Sequence, residues 1–505
     1  MELNKATIVN TLPVIILIAI LSAFYFSSIA PGITWHNNGA DGGDFITAAA
    51  TWGVAHPPGY PFYLTIAWLF QLLPIGSLAF RTNLLSLVCT IIACIVLYKL
   101  QEKLVSNSSK KWIPCFFTSL VFGLSQLVWS QAVITEVYAL QELLMISALF
   151  FLLIASRPPF SKYFNILLGL VYGLAIHNHL LASLLFPFIF LVGNVSTNSH
   201  GGMKIWKFRI SKININWKSI LLRFFGFILG LSFILTILVR AQSASPVNWG
   251  MPTNLKQLYW LITGSLYSSS LFDISKDFFL MRISIWGEIL LKQIGLIGVV
   301  FSIIGLMGYR KKSNATHYVI TWLFIVFILF SFFYNSIDSY IYLVFSVISL
   351  SIWLGWGIDS IISVLPQKDF WVFLITGIFL CYQLGMGIKT FSTVDASHDM
   401  EAEKFWEKVN NEVPQNALVF TDADKDSFTL WYYHFALSQR PDLSVIVMNL
   451  LPYDWYQQLL TNTYPDLVVP RVNTENWKTA FKNENITRTI CSSIVIEESY
   501  IYCEN

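Results

Sequence analysis

The sequence has 505 residues, of which 55 % are hydrophobic and only 12 % are charged, against roughly 25 % charged residues in soluble domains. A soluble domain cannot bury this much apolar side chain, so the composition excludes one and requires a bilayer. The net charge is only +3, and no basic face with interleaved aromatic residues indicates a nucleic-acid partner.

Apolar runs of about 20 residues indicate an α-helical polytopic membrane protein, and we count eleven such runs. The first follows Lys5 and resembles a signal peptide, but it is long and no small-residue cleavage site follows it, so we expect a retained helix. The fifth and sixth runs share one long apolar segment, so their boundary is the least defined. The predicted spans are residues 11–30, 80–98, 113–130, 139–155, 163–178, 180–195, 219–239, 289–308, 318–334, 340–363 and 370–388.

Lysine and arginine residues in the connecting loops predict the orientation. With a cytoplasmic N-terminus, every loop on the inner side carries such residues, whereas the outer loops before the tail are nearly free of them. We therefore expect a multi-pass protein of the cell membrane with a cytoplasmic N-terminus. Because eleven is an odd number, residues 389–505 then lie outside the cell.

The tail is far more polar than the rest of the chain. We expect an extracytoplasmic α/β domain over residues 389–505 that follows a transmembrane domain over residues 1–388. Its alternating pattern predicts, in order, an amphipathic helix over 395–412, a strand over 417–421, a polar turn over 422–426, a helical stretch over 428–437 and a strand over 444–449.

Six cysteines are spread along the chain, and no two of them have the spacing of metal ligands. Four lie within or beside apolar runs, where cysteine behaves as a small hydrophobic residue. Cys491 and Cys503 lie in the polar tail, where they would pair if the tail faces an oxidising compartment. The sequence alone leaves that pairing open.

The first loop, residues 31–79, is too polar and too rich in Gly and Pro for a span, yet too apolar for a flexible linker. Asp41 and Asp44 lie three residues apart at the start of a predicted helix, which places them on a similar face. They are either helix N-caps or catalytic carboxylates, and spacing alone does not decide between these roles. They could also bind Mg²⁺ or Mn²⁺, so metal dependence stays open. His56 opens a rigid His-Pro-Pro-Gly-Tyr-Pro segment, which predicts a fixed turn.

Further polar residues gather at the outer ends of the predicted spans. Glu136 and Tyr138 lie in the short loop after the third span, where a carboxylate is either functional or merely hydrated. His179 follows the fifth span, and we expect it to form hydrogen bonds rather than to bind a metal. Arg240 ends the seventh span and either clamps a phosphate or extends to the interface. The remaining candidates are Arg81, Arg282 and the pair Asn248 and Trp249 that follows Arg240.

No Walker sequence, Gly-rich nucleotide loop, GxSxG or HExxH occurs in the sequence. An enzyme that uses a cytosolic nucleotide is therefore disfavoured, and a donor for an outward site must come from the membrane or the far compartment. Two other classes remain as alternatives. A transporter or lipid flippase would show internal symmetry and charges near mid-membrane. A non-catalytic assembly protein would use its spans only to anchor the tail.

Two adjacent segments of the first loop carry a resemblance to a known family. GADGGDFITAAA at 39–50 and GVAHPPGYP at 53–61 resemble the signature of a multi-pass family first described as a domain of unknown function, which includes an animal transmembrane protein O-mannosyltransferase and many bacterial proteins. The likeness continues in LPIGSLAFRTNLL at 73–85, EVYAL at 136–140, HNH at 177–179, NWG at 248–250, ALVFTDAD at 417–424 and RPD at 440–442. It thus extends over most of the chain, and the first-loop motif is its longest and most specific part.

The resemblance implies a GT-C glycosyltransferase, which takes a sugar from a polyprenyl-phosphate donor and transfers it to an extracytoplasmic acceptor: a protein, lipid or glycan. In such enzymes an acidic residue of the first outer loop serves as base or positions the acceptor. The family position that matches Asp41 is Asp, whereas the one that matches Asp44 is usually Glu, so we expect Asp41 to be the base. An arginine, Arg240 or Arg282, would stabilise the leaving phosphate. Mannose is implied by the animal branch alone.

Overall fold

The structure is a computed structural model that describes residues 5–106, 109–155, 161–205, 208–266, 276–309, 314–365, 369–470, 476–495 and 499–504. The N-terminal three-quarters of the chain is almost entirely helical. Its helices are α1 (Lys5–Ser28), α2 (Gly42–Ala50), α3 (Pro61–Gln71), α4 (Leu78–Leu104), α5 (Trp112–Leu124), α6 (Gln126–Ala132), α7 (Tyr138–Ile154), α8 (Ser161–Asn178), α9 (Phe186–Leu191), α10 (Trp217–Leu231), α11 (Thr236–Arg240), α12 (Leu255–Ile262), α13 (Lys276–Tyr309), α14 (Asn314–Phe333), α15 (Val344–Val364) and α16 (Asp369–Val394). Between α9 and α10, the strands β1 (Val195–Ile205) and β2 (Phe208–Ile215) form an antiparallel pair.

The number of membrane spans is lower than predicted. In the described part of the chain, seven helical segments are long and apolar enough to cross a membrane, and α5 with α6, which meet at a 65° bend, add an eighth if they count as one crossing. The prediction of eleven spans is therefore wrong by this criterion. Three of the predicted spans do not reach the length and hydropathy of a membrane-crossing helix. They correspond to α8, to α7 with its 17 residues, and to the short apolar segment Leu180–Leu191.

Helix α8 shows why an apolar segment of this kind was predicted to be a membrane span. It has 18 residues, but polar side chains occupy both of its ends, and one of its faces is buried against the neighbouring helices. A Cβ atom on Gly169 would lie 1.9 Å from the carbonyl oxygen of Arg223, so α8 and α10 approach each other backbone to backbone. Asn165 of α8 accepts a hydrogen bond from Arg223 Nε at 2.6 Å. An apolar run thus marks burial against protein as well as burial in lipid.

The C-terminal part is a small α/β domain, as the sequence predicts. Its four-stranded sheet has the order β4-β3-β5-β6, in which β3 is parallel to β4 and β5, and β6 is antiparallel to β5. Cys491 and Cys503 face each other on β5 and β6 and form a disulfide. The elements are α17 (Glu401–Glu412), β3 (Leu418–Thr421), α18 (Asp424–Trp431), β4 (Ser444–Val447), α19 (Asp454–Thr463), α20 (Trp477–Glu484), β5 (Ile490–Val495) and β6 (Ser499–Glu504).

This domain lies directly against the first loop. Asp399 Oδ2 accepts hydrogen bonds from the backbone nitrogens of Trp35 at 2.9 Å and His36 at 3.0 Å. The indole nitrogen of Trp35 donates to Thr429 Oγ1 at 3.0 Å. Helix α16 continues to Val394 before the chain enters the domain, and the predicted division after residue 388 stays a prediction. These contacts bring the start of α18 next to the two aspartates of the first loop.

Candidate functional site

Asp41 and Asp44 lie on either side of the first residues of α2. A 3₁₀ helix, His36–Asp41, precedes α2, so Asp41 occupies the cap position and Asp44 the first turn. The side chain of Asp41 accepts no hydrogen bond from the helix N-terminus. Asp44 Oδ2 lies 2.9 Å from the backbone nitrogen and 2.7 Å from Nδ1 of His56, and its Oδ1 accepts from Trp249 Nε1 at 3.1 Å. Neither aspartate therefore acts as the N-cap that the spacing allowed.

His56 connects the two carboxylates. Its Nε2 lies 3.7 Å from Asp41 Oδ2, and its Nδ1 faces Asp44. The side chain of Asp44 is completely buried, whereas that of Asp41 is 38 % exposed. Asp44 thus orients the imidazole from the interior, whereas Asp41 is partly exposed to solvent beside it. We call the solvent-facing space next to Asp41 and His56 the cleft.

The charges of these groups depend on one another. Burial alone would lower the pKa of His56, but Asp41 and the hydrogen bond to Asp44 raise it to about 9, so the imidazole is protonated at neutral pH. Desolvation in the cleft raises the pKa of Asp41 to about 6, against the opposing effect of His56. Asp41 is therefore mostly ionised at neutral pH, yet basic enough to accept a proton near that pH.

The segment from His56 to Pro61 is the fixed turn that the sequence predicts. The peptide bond between Pro57 and Pro58 is cis, and Tyr60 has a φ of 44° just before α3 begins. The imidazole ring of His56 lies 5.0 Å from the ring of Phe45 and 5.2 Å from that of Tyr60, measured between centroids. Packing against Phe45 and Tyr60 therefore fixes the plane of the imidazole ring, whose two nitrogens face Asp41 and Asp44.

The chain returns to the first loop at residues 247–249. Val54 N donates to Val247 O at 3.0 Å, and Trp249 N donates to Val54 O at 3.1 Å, which forms a short parallel bridge. This bridge places the indole of Trp249 against Asp44. Asn248 donates from Nδ2 to the carbonyl of Ala241 at 2.9 Å. Both predicted substrate residues thus support the local fold, and Trp249 in addition holds Asp44.

Glu136 and Tyr138, which are buried, and His179, which is half-buried, form a polar cluster that adjoins Asp41. Glu136 is only 5 % exposed, and its burial, together with the negative charge of Asp41, raises its pKa well above the usual value. The ring of Tyr138 lies 5.8 Å from that of His179 and 6.0 Å from that of Tyr342. The structure therefore brings His179, which the sequence placed after the fifth span, next to the loop that carries Glu136 and Tyr138.

The three predicted arginines occupy separate places. Arg81 donates to the carbonyls of Gln71, Ile75 and Gly76 and so closes the turn before α4. Arg240 is buried, donates to Gly53 O at 3.2 Å and to Thr65 Oγ1 at 3.3 Å, and lies 4.1 Å over the Trp52 ring. Arg282 is partly exposed, donates to Tyr334 O at 2.7 Å and lies 4.5 Å over the Trp286 ring. Among the described residues, none of the three forms an ion pair with a carboxylate.

The sequence did not identify Asp424 and Phe428 of α18 as site residues. The ring of Phe428 stacks on that of His56 at 6.3 Å with 10° between the planes. Asp424, one helical turn earlier, interacts electrostatically with His56. Asp424 ends the ALVFTDAD segment of the tail and Phe428 follows it, but no local pattern indicates that this segment meets the first loop. A contact between such distant parts of the chain becomes visible only in the fold.

The described residues include no group of three or more His, Cys, Asp or Glu side chains placed to hold a metal ion. Asp44 uses one oxygen for His56 and the other for Trp249. Mg²⁺ and Mn²⁺ prefer several oxygen ligands around one point. The geometry of Asp41 and Asp44 therefore does not fit the shared metal site that their spacing allowed.

Two family models match the chain. Residues 41–200 match the Protein O-mannosyl-transferase TMEM260 N-terminal domain, and residues 402–500 match TMEM260-associated domain 2. The chain is 23 % identical over 483 residues to Protein O-mannosyl-transferase tmem260 of Dictyostelium discoideum, covering 83 % of this chain and 55 % of that protein. It is 25 % identical over 472 residues to Protein O-mannosyl-transferase TMEM260 of Mus musculus, covering 86 % and 62 %. The chain thus spans between half and two-thirds of the length of both relatives.

Solved structures of glycosyltransferases of the GT-C class share the fold. ArnT from Cupriavidus metallidurans bound to undecaprenyl phosphate has a TM-score of 0.58 at 11 % identity, covering 96 % of this chain and 93 % of that chain. The Archaeoglobus fulgidus oligosaccharyltransferase in complex with Zn and sulfate also has a TM-score of 0.58 at 11 % identity, covering 95 % and 68 %. At this identity the likeness shows the architecture, a multi-helix membrane part followed by a soluble C-terminal part.

Proposed function

The chain belongs to the family of O-mannosyltransferase-like membrane proteins that includes TMEM260, and we propose that it is a glycosyltransferase with Asp41 as its catalytic base. The observation that supports this best is the arrangement of Asp41, which is partly exposed in a cleft while the buried Asp44 orients His56 toward it. A base that faces solvent and is positioned by a rigid partner suits the deprotonation of an incoming hydroxyl group.

In the proposed reaction, Asp41 accepts the proton of an acceptor hydroxyl group while the oxygen of that hydroxyl group attacks the anomeric carbon of the sugar. A new carbon–oxygen bond forms, and the bond from that carbon to the phosphate oxygen breaks with its electron pair on the phosphate. A single displacement of this kind inverts the anomeric centre. His56, protonated and held by Asp44, keeps Asp41 ionised between turnovers.

The donor is proposed to be a polyprenyl-phosphate sugar. The ArnT structure that shares this fold is bound to undecaprenyl phosphate, and the names of the two relatives favour mannose as the sugar and a protein hydroxyl as the acceptor. Arg282 is the better candidate for the leaving phosphate because it is partly exposed, whereas Arg240 is enclosed by Gly53, Thr65 and Trp52. The polyprenyl tail would lie among the membrane lipids, beside the apolar helices.

The test is sugar transfer by the purified protein in detergent. Radiolabelled polyprenyl-phosphate sugars are offered one at a time with a membrane extract as acceptor, and Asp41→Asn is run beside the parent. We expect one donor to be consumed, and Asp41→Asn to reduce the rate by about 100-fold or more with an unchanged unfolding temperature. Asp422→Asn, an exposed aspartate of the tail, is the control. A folded parent that consumes no donor would refute the proposal.

A further inference from the structure

We propose that Asp424 of the C-terminal domain forms the acceptor side of the cleft together with Asp41, and that this pair favours a hydroxyl group in a basic or neutral stretch of polypeptide over one in an acidic stretch. The inference rests on the proposed transfer reaction and adds a residue that determines its specificity. It also assigns the soluble domain a direct part in binding the acceptor.

The position of Asp424 is set by the packing of α18 on α2. Phe428, four residues further along α18, stacks on His56, and residues four apart lie on the same face of a helix. A Cβ atom on Gly43 would lie 2.2 Å from the carbonyl oxygen of Phe428, so the two helices are in backbone contact there. Asp424 therefore lies on the face of α18 that is directed at the first loop.

Asp424 differs from its neighbour Asp426 in how its carboxylate is used. Asp426 is buried, and its Oδ1 accepts hydrogen bonds from the backbone nitrogens of Ala423 at 3.0 Å and Ser427 at 2.9 Å. Asp426 also bonds to Ser493 and so serves the fold of the domain. Asp424 is exposed, and within the described residues no hydrogen bond or ion pair occupies its carboxylate. It is available to a molecule that enters the cleft.

The carboxylates around Asp41 make the mouth of the cleft acidic. Asp41, Asp424 and Asp338 interact with one another electrostatically, and His56 interacts with Asp41 and Asp424. Lys425 places its ammonium 5.6 Å from the centroid of the Trp35 ring, and its single charge together with that of His56 is fewer than the charges of the three carboxylates. Charges of one sign at the entrance of a cleft attract ligands of opposite charge and repel ligands of the same charge. A basic acceptor segment is therefore favoured, and an acidic one is disfavoured.

The test uses the full-length protein, its polyprenyl-phosphate sugar donor and three peptides of equal length, in which one Thr is flanked by Lys, Gly or Glu. We expect the parent to transfer sugar with KM rising in the order Lys, Gly, Glu. In Asp424→Asn, KM for the Lys peptide should rise about tenfold and KM for the Glu peptide should fall, with kcat within about twofold of the parent. Asp422→Asn, the same change two residues away on the exposed turn, should match the parent.

The outcomes separate this inference from the proposed function. An equal loss of rate on all three peptides would mean a structural role for Asp424 and would overturn the inference, as would an Asp424→Asn variant that behaves like Asp422→Asn. A parent that transfers sugar to the membrane extract but to none of the peptides would also overturn it. A parent that consumes no donor with any acceptor would remove the proposed function itself, and the inference with it.

Discussion

Asp41 and Asp44 illustrate how two identical residues three positions apart acquire different properties. Asp44 is buried, and both of its oxygens are used by His56 and Trp249. Asp41 keeps part of its side chain in the cleft and contacts His56 only at 3.7 Å. Their spacing predicted a shared face, which the structure confirms only in that both face His56. The chemical difference comes from burial, and burial here depends on residues far along the chain.

The pH dependence of transfer should show this arrangement directly. The pKa of Asp41 is raised to about 6, so the rate should rise as the pH increases through about 6, because a base must be deprotonated. The pKa of His56 is raised to about 9, so the rate should fall above that pH, when the imidazolium loses its charge beside Asp41. The measurement is kcat/KM against pH. The other charged groups that act on Asp41 or His56 are Asp44, Asp338 and Asp424, and Glu136 interacts with Asp41. A rate independent of pH between about 5 and 8 would contradict the assignment of Asp41 as base.

Asp44→Asn should affect stability as well as rate. An amide in place of the carboxylate cannot accept all the hydrogen bonds that His56 and Trp249 donate, and it leaves the imidazolium without its buried partner. We expect a loss of about 2–4 kcal/mol in the free energy of unfolding, whereas Asp41→Asn should change it little. Thermal unfolding in detergent measures both variants. Equal unfolding temperatures for the two would argue against the structural role of Asp44.

At the scale of helices, glycines let two backbones pack directly against each other, and this close packing sets the distances that the site requires. Helix α18 reaches α2 because position 43 is a glycine, in the same way that α8 reaches α10 at Gly169. Sequence patterns identify the helices themselves, since the predicted positions of α1, α4, α10 and α13 to α16 agree with the structure. They do not reveal which glycine faces which neighbour, because that depends on the order in which the helices pack.

Gly43→Ala is therefore expected to impair the site without touching a charged residue. Its Cβ would lie 2.2 Å from the carbonyl oxygen of Phe428, so α18 must move away from α2, and Phe428 and Asp424 move with it. We expect the transfer rate to fall about tenfold or more and the C-terminal domain to become more sensitive to protease.

Gly42→Ala is the matched control for this change. A Cβ atom at position 42 would meet Thr135 at 3.4 Å, which is an ordinary contact distance. Its rate and its protease sensitivity should therefore stay near those of the parent. A Gly43→Ala variant that remains as active as Gly42→Ala would show that the contact between α18 and α2 is not needed for transfer.

For the molecule as a whole, the sequence predicted the class of fold, but not how the parts meet. The helical membrane part and the α/β tail agree with the structure. The predicted span count exceeds the seven or eight described helical segments that are long and apolar enough to cross a membrane, because α7, α8 and Leu180–Leu191 do not reach that length and hydropathy. Asp424 was missed because its electrostatic interaction with His56 joins residues that are far apart along the chain.

The side of the membrane on which the site lies is the remaining prediction at this scale. Since Asp399 binds the first loop, the loop and the C-terminal domain lie on the same side, and the loop charges predict that this side is outside. Single cysteines can test it. Ile486 of the C-terminal domain is 85 % exposed, and Lys103 lies exposed at the far end of α4. The background variant carries Cys381→Ser, because the other unpaired cysteines are buried and Cys491 is bonded to Cys503.

In intact cells, a maleimide that cannot cross the membrane should label Ile486→Cys, and it should label Lys103→Cys only after the membrane is permeabilised. This outcome would place Asp41 in a compartment without cytosolic nucleotide sugars, where a sugar must arrive on a membrane carrier. It would also agree with the disulfide in the tail, since such bonds persist in oxidising compartments. The reverse labelling pattern would put the cleft in the cytoplasm, and the choice of a polyprenyl-phosphate donor would then lose its main physical reason.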